Sequence, residues 1–335
     1  MNPVMKAAVI DRYGAPDVLR LADVPTPSPG PGDLLVRVMA TSVNPVDTKQ
    51  RQGIQRAVAP KTMPAILGMD LSGVVEAVGP GVTAFSVGDA VWSSPGHKRP
   101  GTYAEYVVVE QDAVAPKPPS LSHVEAASLP LVALTAWDCL VTGAKLSAGQ
   151  RVLIQAGSGG VGTIAIQIAR HLGAEVITTC SAGNAQMVSD LGADRVIDYR
   201  TERFVDVLQD LDAVLECMGP GSWADALRVV RPGGVVTAIA TGFPEAAKRW
   251  GPWLAPLAVG WTLGSGMLGA RLRGKRLVPV LRKASGANLS AIGALVEAGA
   301  IRPVIDRTFA LADLADAHRY SETGRARGKI VIEVA

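Results

Sequence analysis

Cysteine is scarce in this 335-residue chain: Cys139, Cys180 and Cys217 stand far apart, each in an apolar run. An odd and scattered set excludes a disulfide framework and reads as buried thiols. Histidine is as thin. His97, His123, His171 and His318 are single, and each reads as a surface or cap residue rather than a metal ligand. Charge of either sign nearly cancels, with 33 basic against 30 acidic side chains and a net +3. The bases are dispersed except around Arg271, Arg273, Lys275 and Arg276, so nucleic acid is not an expected partner. No secretory signal is read at the start, because Asp11 and Arg12 interrupt MNPVMKAAVID early, and a cytoplasmic address is expected.

The longest uncharged run is Gly251 to Ala270. About 20 such residues could span a bilayer, and GxxxG can be read at Gly260 and Gly264. Pro252, Pro256 and five glycines make it a poor lone span. The reading that fits better is an apolar loop followed by a strand from Trp261 to Leu268, buried at a subunit or domain contact. Membrane contact is therefore not expected. Trp250, Trp253 and Trp261 fall close together here, with Phe243, Leu254 and Leu257. They read either as a lid on a flat or lipophilic acceptor or as a dimer contact, and a homodimer is expected.

The chain is long for a single core, and its grammar changes twice. Lys6 to Ile10, Leu34 to Met39, Gly73 to Val78, Ala90 to Trp92 and Tyr103 to Val109 are strand-like. Prolines 25, 27, 29 and 31 lie between the first two. From Val124 an apolar helix runs through Thr142, and strands and helices then alternate. The strands are Arg151 to Gln155, Glu175 to Cys180, Arg195 to Asp198, Ala213 to Cys217 and Gly234 to Ala240. Uniformly apolar strands of this kind are covered on both faces, as in a doubly wound α/β sheet. After Lys275 come a helix near Leu289 to Ala298 and two strands, Val304 to Phe309 and Lys329 to Val334, too few for a domain. The expected organisation is α/β: a mainly-β domain over 1–123 completed by 276–335, and a Rossmann domain over 124–275.

Gly157, Gly159 and Gly162 spell GxGxxG between the strand Arg151 to Gln155 and a helix from Thr163 to Leu172. Glycine there permits a tight turn, close approach of backbone to a pyrophosphate, and close packing of helix on strand. Amides at the helix start then face the diphosphate. An NAD site would place a carboxylate about 20 residues on, for the ribose 2′-hydroxyl. The second strand ends instead in Thr178-Thr-Cys-Ser-Ala-Gly-Asn184, with no carboxylate. Ser181 and Asn184 could donate to a 2′-phosphate, with Tyr199 or Arg200 close by, so NADP(H) is favoured.

These motifs join others: Asn44-Pro-Val-Asp47, Pro64 to Gly73, Val87-Gly-Asp-Ala-Val91, Gly101-Thr-Tyr-Ala-Glu-Tyr106, Ala126 to Pro130, Leu134-Thr-Ala-Trp137 and Gly328-Lys-Ile-Val331. In that order they resemble the medium-chain dehydrogenase/reductase superfamily, and within it the zinc-independent quinone oxidoreductase branch. The resemblance implies a GroES-like substrate domain built from both chain ends around a Rossmann domain. It places Ser158, Gly159, Gly160 and Val161 along the pyrophosphate, Asn44 and Thr135 near the nicotinamide, and Ser181, Asn184 and Tyr199 around the 2′-phosphate. NADPH-preferring relatives commonly have lysine at the position of Asn184.

Where zinc-containing cousins place cysteine and Gly-His-Glu, this chain has the Asn44 segment and Gly68-Met69-Asp70, and no cysteine precedes residue 139. No catalytic zinc is expected. Without a Lewis acid, nothing lowers the pKa of an alcohol, whereas a quinone or α,β-unsaturated carbonyl accepts hydride directly. Asn44, by its amide, and Tyr103, by its hydroxyl, are the candidates for orienting that carbonyl. The expected activity is NADPH-dependent reduction of a small, flat or apolar quinone or enone. The alternatives are a zinc-free alcohol dehydrogenase or enoyl-thioester reductase, and a non-catalytic nucleotide-binding relative.

Overall fold

The structure, a computed structural model, describes residues 3–96, 99 and 101–335; His97 lies outside them. Contacts divide it into two units, Met1–Leu134 with Lys283–Ala335, and Thr135–Arg282.

The first unit is mainly β. Its longest strand, Asp33–Val43, is buried along nearly its whole length, which is why Leu, Val, Met and Ala occupy both of its faces. It pairs antiparallel with Leu71–Val78, Tyr106–Glu110 and Lys329–Glu333. The last of these pairs parallel with Ile305–Ala310. C-terminal strands therefore complete a sheet begun in the first third of the chain, as a GroES-like unit requires. Several elements escape the sequence reading, among them a strand and a helix. The strand Leu19–Pro25 pairs antiparallel with Val4–Ile10, so Pro25 ends the ladder and the other three prolines follow it without interrupting it. The helix Leu314–Glu322 turns Leu314, Ala317 and His318 inward.

The second unit carries six parallel strands in the order Arg195–Asp198, Glu175–Cys180, Arg151–Ile154, Leu211–Glu216, Val230–Ala238, Arg276–Pro279. This is the doubly wound Rossmann arrangement, with the strand order reversing beside Arg151–Ile154. Leu153, Val214, Trp223, Val236 and Leu277 pack in one core cluster. The strand Arg276–Pro279 closes this sheet at its edge, although the sequence reading assigns residues from 276 to the other domain.

The stretch from Gly251 to Ala270 also departs from expectation: the loop and strand read there are a helix, Ala255–Leu272. Pro256 stands in the first turn, where its missing amide hydrogen has no intrahelical acceptor to lose. Gly266 lets the helix lie close on the sheet, since a Cβ there would meet Leu277 at 3.0 Å and the Trp223 ring at 3.1 Å. Packing overrides the weak helix propensity of glycine. Among the described residues no helix is long and apolar enough to cross a membrane.

Candidate functional site

In the second unit, the strand Arg151–Ile154 ends in a turn held from the neighbouring strand. Ala156 takes the left-handed conformation at φ 53°. Its amide donates to Thr179 Oγ1 at 3.1 Å, and Gly157 N donates to Thr179 O at 2.9 Å. A Cβ on Gly157 would stand 2.0 Å from Thr178 Oγ1, and one on Gly162 would stand 2.3 Å from the Ala156 carbonyl oxygen. Gly159 caps the helix Gly160–His171. The first amide bonded back into that helix is Thr163 N, to Gly159 O. The amides of Gly160, Val161 and Gly162 therefore precede the helical ladder and point beyond it. Four glycines at 157, 159, 160 and 162, amides that precede the helical ladder and a helix dipole behind them fit a dinucleotide diphosphate.

Beyond the strand Glu175–Cys180, no carboxylate stands in the stretch 181–184. Asn184 Nδ2 donates to Ser181 Oγ at 3.4 Å, so these two residues are brought together. Tyr199 is exposed, with the Arg200 guanidinium 5.9 Å from its ring centroid. Asp198 is a carboxylate the sequence reading does not weigh. It lies in register with Cys180, and its oxygens accept from Ala182 N at 3.2 Å and Arg200 N at 3.0 Å. Thr135 is buried in the helix Pro130–Trp137.

In the first unit, the residues singled out join a buried polar cluster. Asn44 caps the helix Pro45–Arg51 and donates its amide hydrogen to Asp47 Oδ2 at 2.8 Å. Its side chain donates to Asp70 Oδ2 at 2.8 Å and accepts from Lys329 Nζ. Asp70 also accepts from Ser42 Oγ and from Leu131 N, each at 2.6 Å. Tyr103 is expected to lend its hydroxyl to a carbonyl. Instead that hydroxyl donates to Asp47 Oδ2 at 3.0 Å and lies 3.3 Å from His318 Nε2, with the ring fully buried and outside any strand. His318 is likewise neither a surface nor a cap residue: it is fully buried in the helix Leu314–Glu322, because that helix seals the cluster.

Burial pushes the Asp47 carboxyl up to about 7, and the negative charge of Asp70 adds to it; the Asn44 N–H, the Tyr103 hydroxyl and Lys329 pull the other way. Burial, with the Arg51 charge beside it, pushes His318 down to about 3. Asp47 therefore contributes stability that is complete below about pH 4 and is lost as pH rises to about 7. His318 contributes stability that is complete above about pH 6.5 and is lost as pH falls to about 3. Between pH 4 and 6.5 the two slopes oppose one another. In Asp47→Asn the His318 slope is no longer opposed by Asp47 and approaches about 1.4 kcal/mol per pH unit. Urea unfolding at pH 4.5 and pH 6 measures it, and equal pH dependence in variant and wild type contradicts this assignment.

Sequence reasoning missed Lys329, Asp70 as its partner, Asp47 and Glu216. Lys329 sits within Gly328-Lys-Ile-Val331, and only its place beside Asp33–Val43 reveals its partner. Glu216 is fully buried at the end of Leu211–Glu216. It accepts from Met218 N, Gly219 N, Ser222 Oγ and Trp223 Nε1 at 2.6 to 3.1 Å, fixing the turn that follows the strand. Its position at a strand's carboxyl end, two residues before Met218-Gly219-Pro220, is the signal that could have found it.

Two family profiles match the chain: the alcohol dehydrogenase GroES-like domain over residues 30–119 and the zinc-binding dehydrogenase family over 191–332. Despite the second name, no group of three or more His, Cys, Asp or Glu among the described residues is placed to hold a metal ion. The chain is 38% identical to the mitochondrial NAD(P)H oxidoreductase RTN4IP1 of Mus musculus, over 99% of this chain and 90% of that one. It is 33% identical to the chloroplastic NADPH-dependent alkenal/one oxidoreductase of Arabidopsis thaliana, over 98% and 79%. Among solved structures, the quinone oxidoreductase from Coxiella burnetii superposes with a TM-score of 0.87 at 34% identity, over 99% and 100%. The cytoplasmic address expected from the sequence is overturned by the mitochondrial relative. A secretory signal bears on export alone, so not reading one never distinguished cytosol from organelle. By this combination of fold, glycine turn and similarity, the chain belongs to the medium-chain dehydrogenase/reductase superfamily, as an NAD(P)H-dependent oxidoreductase of its zinc-independent quinone oxidoreductase branch.

Proposed function

We propose that the protein uses NADPH to reduce quinones or α,β-unsaturated carbonyls. The observation that carries this reading is the glycine cradle beside a strand end that offers Ser181 and Asn184 and no carboxylate within 181–184. The activities of the alkenal/one and quinone oxidoreductases it resembles support the acceptor class. The coenzyme supplies a hydride from nicotinamide C4, and one proton completes the reduction of the acceptor. Gly157, Ser158, Gly159, Gly160, Val161 and Gly162 gather the diphosphate on backbone amides. Ser181, Asn184 and Tyr199 receive the 2′-phosphate, with Arg200 adding positive charge. Thr135 borders the nicotinamide.

Asn44 retains the second hydrogen of its amide for an acceptor oxygen, its first being given to Asp70. Tyr103 acts through Asp47 as a positioning residue, holding the helix that Asn44 caps. The acceptor is a small organic molecule and nucleic acid is not a partner. The strand Arg276–Pro279 leaves one edge unpaired among the described residues, which suits a homodimer formed edge to edge. Light scattering at the dimer mass supports that assembly, and a monomer at all concentrations rejects it.

NADPH is expected to bind about tenfold or more tightly than NADH, the worth of one charge-assisted hydrogen bond of about 1.5 kcal/mol. Fluorescence titration measures both, and NADH binding as well or better rejects the assignment of Ser181 and Asn184. Turnover is tested by NADPH oxidation against quinones, enals and enones, beside an alcohol panel with NADP⁺. Activity confined to the alcohols overturns the reading.

A further inference from the structure

The helix Ala255–Leu272 is apolar on two opposite sides. Ala255, Leu263, Gly266 and Ala270 face the sheet, with Leu263 against the core cluster and Ala255 and Ala270 fully buried. Leu254, Leu257, Trp261, Leu268 and Leu272 recur at intervals of three, four, seven and four residues, with Gly264 and Ser265 at the intervening positions of that face, and form a stripe on the other side. That stripe stands in solvent: Leu257 is 73% exposed, Trp261 80% and Leu272 79%, and Trp253 just before the helix 73%. A helix apolar all round is ordinarily buried all round, so this one is built for an apolar medium on its outer side.

Charge identifies the medium. Between Glu245 and Glu297 the chain has no acidic residue, while Lys248, Arg249, Arg271, Arg273, Lys275 and Arg276 stand at the two ends of the helix. Lys248, Arg249, Arg271 and Arg273 are exposed, and none forms an ion pair among the described residues. We propose that this face docks flat on an anionic lipid bilayer, the stripe entering the headgroup boundary and the flanking cations meeting lipid phosphates.

Tryptophans beside cations on an apolar stripe are the pattern of interfacial helices. A second copy on the same face fits poorly, because a two-fold contact sets the cations of one helix end against those of the other with no carboxylate between them. The topology adds a reason for the attachment. The helix runs into the strand Arg276–Pro279 through a three-residue turn, so its tryptophan-bearing start lies toward the strands' carboxyl ends, the side of the glycine turn. Docking there would bring that side to a bilayer in which apolar acceptors dissolve. The inference goes beyond the proposed reduction and stands without it, since its test needs no turnover.

The test is sedimentation of the full chain with vesicles of phosphatidylcholine alone or mixed with phosphatidylglycerol. Co-sedimentation with the mixed vesicles is expected, weaker with phosphatidylcholine and reduced by salt. Trp253→Ser/Leu257→Ser/Trp261→Ser should lower partitioning at least about tenfold, as removal of the buried apolar area requires. Arg271→Glu/Arg273→Glu should lower it on the mixed vesicles only. Both variants should keep the wild-type circular dichroism and NADPH affinity. A wild-type chain that stays in the supernatant, or a triple variant that sediments as before, overturns the proposal. So does a triple variant whose mass by light scattering falls from dimer to monomer, which would assign the stripe to a second copy.

Discussion

Gly162→Ala should lower NADPH affinity at least about a hundredfold while leaving the rest of the fold intact. The added methyl would stand 2.3 Å from the Ala156 carbonyl oxygen and 2.7 Å from Gly157 Cα, both backbone atoms of the turn that the helix must pack against. Neither can rotate away, so helix and turn must separate. Overpacking of this kind costs about 1–3 kcal/mol of stability. The larger effect falls on binding, because the amides that converge on the diphosphate belong to the two pieces being pushed apart. Losing two such charge-assisted hydrogen bonds at about 1.5 kcal/mol each corresponds to about a hundredfold. Gly264→Ala is the control: its Cβ meets nothing within 4 Å, and it lies inside the helix Ala255–Leu272. It should leave affinity unchanged and add up to about 1 kcal/mol of helix stability. Calorimetric titration decides, and an unimpaired Gly162→Ala would mean that the turn does not hold coenzyme.

Lys329→Met should destabilise the protein by about 3–5 kcal/mol, the cost of leaving a buried charge without its counterpart. Lys329 Nζ stands 3.6 Å from Asp70 Oδ2, donates to Val43 O at 3.1 Å, and bonds Asn44 Oδ1. Burial pushes its pKa down, and the charges of Asp70 and Asp47 resist that. With methionine in its place, Asp70 keeps the Ser42, Asn44 and Leu131 donors but loses its ion-pair partner. Adding Asp70→Asn removes the orphaned charge and should restore about half of the loss. Denaturant unfolding of the single and double variants measures both. A single variant within about 1 kcal/mol of wild type would show the pair to be energetically neutral.

Much of this was legible before the fold was seen, for physical reasons that differ from part to part. The Rossmann strands were readable because strands covered on both faces are apolar throughout, and the glycine turn because its backbone tolerates no side chain. Return of the C-terminal strands to the first sheet followed from their being too few to close a core. The helix Ala255–Leu272 was not readable. Its glycines and prolines lower propensity, and the partner that makes glycine useful, Trp223, lies more than 40 residues away. Lys329 and Asp47 were hidden for a similar reason: a cluster assembled from positions 44, 47, 70, 103, 318 and 329 has no spacing to recognise. Asn44 and Tyr103 were named from motifs, but their bonds to Lys329, Asp70 and Asp47 belong to packing and could not be read there.

The strand Lys329–Glu333 lies beside Asp33–Val43, nearly three hundred residues earlier in the chain, whereas the six parallel strands between them are contiguous. On a ribosome, the middle unit has all of its partners before the outer one does. The N-terminal sheet must wait, with the central strand's edge open, until the final residues emerge. Any chain terminated before residue 329 would thus carry a finished coenzyme unit joined to a sheet with an unclosed edge and an uncompensated Asp70, a combination suited to chaperone capture and proteolysis.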